Sequence, residues 1–121
     1  IADCCYDLVQ TTRTRFNEHI ELHPTASQEI EEFAADVTEF IQFNIENLAD
    51  SRLQDTDLRF AIKLEMKIDD LRNDLRESSV KRISESGSVK REMLFMDIIK
   101  NFERIGDYSL NISEAIKKSV L

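Results

Sequence analysis

Two carboxylates four residues apart on a helix share one face, and such a pair can hold a cation or bridge two. The sequence offers six pairs at that spacing: Asp3/Asp7, Glu32/Asp36, Glu46/Asp50, Glu65/Asp69, Asp70/Asp74 and Glu103/Asp107. There are 24 acids among 121 residues. Random placement would give about five pairs at the one-turn spacing, so spacing alone selects none of them. Position relative to the apolar residues separates them better. Glu65 and Asp69 fall within the stripe formed by Leu58, Ile62 and Ile68, where an uncompensated carboxylate is costly. Glu103 and Asp107 lie at the edge of a second stripe beside Phe102 and Gly106, and Asn111 continues their line one turn on. Ion pairing to Arg72, Arg76 or Arg104 is the plainer account of these acids. Gly106 stands inside a helical run, where glycine costs about 1 kcal/mol against alanine; that predicts the close approach of a neighbouring helix.

Other chemistries find little support. His19 and His23 are four apart, but the run His19-Ile20-Glu21-Leu22-His23 lacks the H-E-x-x-H order of a zinc protease. No glutamate is followed by histidine three residues later, as a ferritin-like di-iron site requires. There is no glycine-rich phosphate loop and no legible nucleophile–base set. Cys4 and Cys5 are neighbours, which does not suit an ordinary structural disulfide, and they read as two small residues kept reduced. The formal net charge of −8 disfavours nucleic acid and anionic membrane surfaces, and favours cations or basic partners.

These side chains must be carried by helices. Only 2 glycines and 1 proline occur, too few for the turns of a sheet-rich domain of this length. The reading is all-α: an antiparallel up-and-down helical bundle in a single domain spanning 1–121. A first helix, 1–22, carries Ile1, Cys5, Leu8, Val9, Thr12, Phe16 and Ile20 on one stripe and ends at His23-Pro24. It begins in mid-pattern, so the chain is expected to be a piece of a longer protein. Thr25 to Gln28 reads as a capping box opening a second helix with Ile30, Phe33, Ala34, Val37, Phe40, Ile41, Ile45 and Leu48 inside. Residues 49–56 break the pattern. A third helix carries Leu58, Ala61, Ile62, Leu64, Ile68, Leu71 and Leu75 and fades towards Ile83. Gly87 is expected as a left-handed cap and Ser88 as the N-cap of a fourth helix, with Phe95, Ile98, Ile99, Phe102, Ile105, Ser109, Ile112, Ile116 and Val120. No run approaches the roughly 18 apolar residues of a membrane span. A faint internal echo aligns Ile1–Leu8 with Ile105–Ile112: a small residue, Asp, then Asp or Asn four later.

The run Asn101-Phe102-Glu103-Arg104-Ile105-Gly106-Asp107-Tyr108-Ser109-Leu110-Asn111-Ile112-Ser113-Glu114 resembles the signature helix of PhoU-like domains, which typically reads N-L-E-R-I-G-D-H-x-x-N-I-A-E. The segment from Leu64 through Glu65 and Asp69 to Leu75 looks like the preceding helix of that family, with its E-x-x-x-D motif. Gly87 to Asp97, ending Leu94-Phe95-Met96-Asp97, is similar to the variant fused to bacterial sodium/phosphate cotransporters. Tyr108 stands where the family often has histidine, and the glutamate expected ahead of Ile1-Ala2-Asp3 is not in this chain.

The resemblance implies a three-helix unit over 25–121, with 1–22 as the end of a preceding helical unit. It implies carboxylate-bound metal, of the transition-metal kind and unknown identity, with Glu65, Asp69, Glu103 and Asp107 as ligands. By the internal echo Asp3 and Asp7 come next, and Asn111 is a lesser candidate. It implies no catalysis. The expected role is a regulatory domain on the cytoplasmic side of a sodium-dependent phosphate cotransporter-type membrane protein, acting in phosphate transport or homeostasis. The implied partners are the transmembrane portion of the same transporter or another phosphate-transport component. No nucleic acid and no direct membrane insertion are expected, and a homodimer is one expected assembly. The alternatives are a stand-alone PhoU-type phosphate-signalling regulator, and a metal-free acidic helical interaction domain.

Overall fold

The computed structural model describes the backbone of residues 2–50, 55–86 and 88–119; the side chains of 48–50, 86 and 119 are outside the description. Four helices fill these residues: α1 (Ala2–Asn17), α2 (Pro24–Asp50), α3 (Asp55–Ser86) and α4 (Val89–Ser119). No strand occurs among the described residues. The all-α reading therefore holds, and so does the expected paucity of turns. Among the described residues, no helix is long and apolar enough to cross a membrane.

Ion pairs and ring contacts give the directions of packing. Glu29 pairs with Arg82 and Asp36 with Lys67, so α2 and α3 run antiparallel. Arg82 pairs with Glu92 and Arg72 with Glu103, so α3 and α4 do the same. The Phe33 ring meets Phe102 edge-on at 6.4 Å, and Asn44 bonds Ser109, which makes α2 parallel to α4. Glu18 pairs with Lys90, and Asp7 shares a cleft with Arg104, so α1 runs antiparallel to α4. The bundle is thus up-and-down, with α4 central and touching each of the other three.

The core repeats the predicted spacing on α2 to α4. Phe33, Val37 and Phe40 of α2 are buried with Ala61, Leu64, Ile68 and Leu75 of α3 and Phe95, Ile99, Ile105 and Ile116 of α4. Each large side chain so buried contributes about 1.5–3 kcal/mol. Three residues expected inside, Ile45 near the far end of α2, Ile62 and Ile112, instead reach solvent. The expected positions Gly87 and Val120 lie outside the described residues.

Polar pins fix the register. Asn44 Nδ2 donates to the Ser109 carbonyl at 2.7 Å, and Ser113 Oγ donates to Asn44 Oδ1. All three residues are buried, so a slip of one turn would strip the Asn44 amide of these partners, while Ser109 and Ser113 keep their bonds within α4. At the other end of the bundle Arg82, 9% exposed at its side chain, donates Nε–H to Glu92 Oε1 at 2.9 Å. It also pairs with Glu29 and lies 4.6 Å over the Phe95 ring.

The first helix differs most from expectation. It stops at Asn17 rather than near Leu22. His19 adopts φ 54°, the left-handed conformation. Around it the Ile20 N–H bonds the Arg15 carbonyl and the His19 N–H bonds the Phe16 carbonyl, the paired closure of a Schellman cap. The predicted inner stripe of α1 also faces the wrong way: Cys5, Val9, Thr12 and Phe16 are exposed. Cys4 is buried and Leu8 half-buried, because α1 leans on α4 alone and only one of its sides is covered. The α2 cap is a second correction. Pro24 takes the first helical position, His23 Nδ1 accepts the Thr25 N–H at 3.1 Å, and the His23 carbonyl accepts from Ser27. The predicted Thr25–Gln28 box is displaced, and Gln28 turns to Glu32.

Candidate functional site

Glu65 and Asp69 stand on the flank of α3 that faces α4, and Asp107 on the opposing flank of α4. What brings the helices together here is the pair Ile68 and Gly106. A Cβ built on Gly106 would lie 3.3 Å from Ile68 Cγ2 and 3.4 Å from Cδ1. The predicted close approach is therefore real, and it lets short carboxylates from two helices converge. One carboxylate oxygen of each of Glu65, Asp69 and Asp107 lies within 4.8 Å of the others. Glu65 and Asp69 are half-buried and Asp107 is exposed, so the cluster sits on the bundle surface and is open to solvent.

Charge crowding shows in the acid chemistry. The Glu65 carboxyl is pushed up from 4.5 to about 7, first by partial burial, then by its hydrogen bond to Asp69 and the charges of Asp69 and Asp107. Glu65 therefore binds its proton more tightly than a solvated glutamate. A divalent cation would remove the same repulsion.

The other sequence candidates are placed elsewhere. Glu103, one turn before Asp107, is not in the cluster: it forms a salt bridge with Arg72. Of the three arginines expected to neutralise these acids, Arg72 takes this one. Asp3 and Asp7 are exposed on α1, and Asp7 shares its cleft with Lys100, Asn101 and Arg104 of α4. They do not join the trio, because α1 packs on a different side of α4. Asn111 is exposed one turn beyond Asp107 and also stays outside the trio.

Sequence reasoning missed the buried polar network of Arg82, Glu92 and Ser79. Glu92 is 0% exposed and accepts from Ser79 Oγ and from Arg82. The signal was present: Glu92 precedes Phe95 and Ile99 at core spacing, and Ser79 and Arg82 continue the line of Leu75. Acids and arginine on such a line read as surface only if the stripe is assumed to have ended.

The donor set is all carboxylate oxygen, which suits hard divalent ions such as magnesium, calcium or manganese over thiolate-seeking ones. Three carboxylate oxygens converging within 4.8 Å fit such an ion. Bound there, it would cross-link α3 to α4 through Glu65, Asp69 and Asp107.

A family model described as the PhoU domain matches residues 30–116 of this chain. The chain is also 31% identical over 116 residues to a Thermotoga maritima protein named phosphate-specific transport system accessory protein PhoU homolog 2. That alignment covers 94% of this chain and 47% of the relative, so the chain spans about half the relative's length. No solved structure matches. The matched segment takes in α3, most of α2 and of α4, and all three clustered carboxylates, and the chain belongs to the PhoU domain family.

Proposed function

We propose that this chain is a regulatory, non-catalytic unit of a phosphate-transport system, in which a divalent cation held by Glu65, Asp69 and Asp107 fastens α3 to α4. The observation that carries the regulatory reading is the alignment, along nearly the whole chain, with a relative named as a phosphate-transport accessory protein. The cation reading is supported by the convergence of the three carboxylates across the α3–α4 seam. Metal energy spent on that seam would bias the packing of the two helices and so pass a signal to a partner.

Two settings suit this role. In one, the chain is the cytoplasmic part of a sodium/phosphate cotransporter-type protein and acts on its transmembrane portion. In the other, it is part of a stand-alone accessory protein, and the relative's name supports this setting at least as well. In either, α1 serves as the closing helix of a neighbouring three-helix unit. Its exposed Cys5, Val9 and Phe16 would then meet helices of that unit, or of a second copy.

Deletion in the source organism tests the role: phosphate uptake should lose its dependence on phosphate supply and recover it with the intact gene. Unchanged control of uptake refutes the reading. Apolar segments of spanning length in the full gene distinguish the two settings. Absence of manganese binding by calorimetry would leave the metal-free interaction domain.

A further inference from the structure

Arg72 follows Asp69 by three residues on α3, so it projects from the same flank one turn on. Glu103 precedes Asp107 by four residues on α4. Four carboxylates therefore line the facing flanks of the two helices over two successive turns, with one guanidinium among them. Arg72 and Glu103 form a salt bridge in which the side chains are 21% and 15% exposed, so neither charge is well hydrated. The bridge is nevertheless incomplete on the arginine side: the Arg72 Nε is buried and has no hydrogen-bond partner among the described residues. A fully satisfied structural arginine uses its fork of five N–H donors more completely. Charge, more than a full set of hydrogen bonds, holds Arg72 in this place.

We infer that Arg72 is a built-in counter-cation that sets the affinity of the carboxylate site, holding Glu103 apart from Glu65, Asp69 and Asp107 and opposing the entry of a metal ion. This rests on reading the trio as a cation site. Two effects follow from its removal. The incoming ion no longer meets a fixed positive charge one turn away. Glu103 is also freed to turn towards Asp107, its one-turn neighbour, and to supply a fourth carboxylate.

Arg72→Gln should tighten binding about tenfold to thirtyfold, the effect of one unit charge on a divalent ion at roughly 8 Å through an effective dielectric of about 40 to 60, as suits a cluster open to solvent. Arg72→Lys keeps the charge and should stay near wild type. Arg72→Gln with Glu103→Gln removes the added carboxylate and should return part of the gain.

The experiment is calorimetric titration of the whole chain with manganese chloride at low ionic strength, with circular dichroism confirming that each variant is folded. Tighter binding in Arg72→Gln supports the inference, including the case in which only the variant binds. Equal affinity in wild type and Arg72→Gln overturns it while leaving the trio as a cation site. Loss of binding on Glu65→Gln with Asp107→Asn identifies the trio as the ligands. No binding by any folded variant overturns both the site and the role of Arg72.

Discussion

Replacing Arg82 by methionine tests whether the buried charge cluster holds the three main helices in register. Methionine keeps the apolar stem over Phe95 but removes the cation. Glu92, 0% exposed, then loses its 2.9 Å bond to Arg82 Nε and keeps the Ser79 hydroxyl. Glu29, the partner on α2, lies nearer the surface and can turn to water. The cost is dominated by Glu92: removing one partner of a buried pair leaves an uncompensated charge worth about 3–5 kcal/mol. Arg91 Nε stays 3.9 Å from Glu92 Oε2 and softens the loss, which puts the expected value near the lower bound, at about 3 kcal/mol. Against a typical total of about 5–15 kcal/mol, that is a large fraction.

Urea denaturation followed by helical circular dichroism measures it. The midpoint should fall while the denaturant slope stays unchanged. The double variant, Arg82→Met with Glu92→Met, should recover to within about 1 kcal/mol of wild type, because a well-packed apolar pair replaces a desolvated ionic one. A loss below about 1 kcal/mol for Arg82→Met would refute the argument. So would a double variant as unstable as the sum of the singles, since the two charges would then act independently. The result bears on the site as well. Arg82 lies some 13 residues along α3 from Asp69, about 20 Å at helical rise, and its pairing with Glu92 of α4 sets the register in which Asp107 meets Glu65 and Asp69.

Further outcomes follow from other residues. Glu65 binds its proton more tightly in the folded chain than its ordinary value of 4.5 allows, up to about 7, so its contribution to stability is fully present below 4.5 and is lost as pH rises through 7. With chelator present, the melting temperature should fall between pH 5 and 8 and should fall less in Glu65→Gln; equal slopes would show that the crowding is not felt. Gly106→Ala should be nearly neutral in chemical denaturation, because a helix gain of about 1 kcal/mol is offset by a tight 3.3 Å contact with the buried, β-branched Ile68. Gly106→Leu should cost about 2 kcal/mol or more by forcing α3 and α4 apart. His19→Gly should raise stability by about 1 kcal/mol in the same assay, because the residue at φ 54° is relieved of left-handed strain.

The helices were legible because their physics is local. Apolar residues recur at three and four along α2, α3 and α4, and glycine and proline are nearly absent. The ends were less legible where an uncommon residue does a common job. A left-handed closure is usually announced by glycine, and here His19 supplies it; an N-cap is usually serine, threonine or an acid, and here His23 supplies it. The orientation of α1 was not legible at all. Spacing shows that Cys5, Val9, Thr12 and Phe16 share a face, but only the packing shows that α4 covers a different one.

The same division applies inside the site. Glu103 and Asp107 belong to one motif on one face of α4, and the sequence treats them alike. The structure gives them opposite surroundings: Asp107 faces two acids and Glu103 faces a guanidinium. The difference is made by α3. Its antiparallel register sets Glu65 and Asp69 level with Asp107, and Arg72, less than one turn further along, level with Glu103. That register is fixed by the tight passage of Ile68 over Gly106 and by the Arg82–Glu92 pair towards the other end. A motif therefore supplies the carboxylates, while the phase of the facing helix decides which of them stay available to a cation and which are already neutralised. A slip of α3 by one turn, about 5.4 Å, in the direction that sets Arg72 level with Asp107 would neutralise that carboxylate and disperse the trio without changing a single residue of the motif.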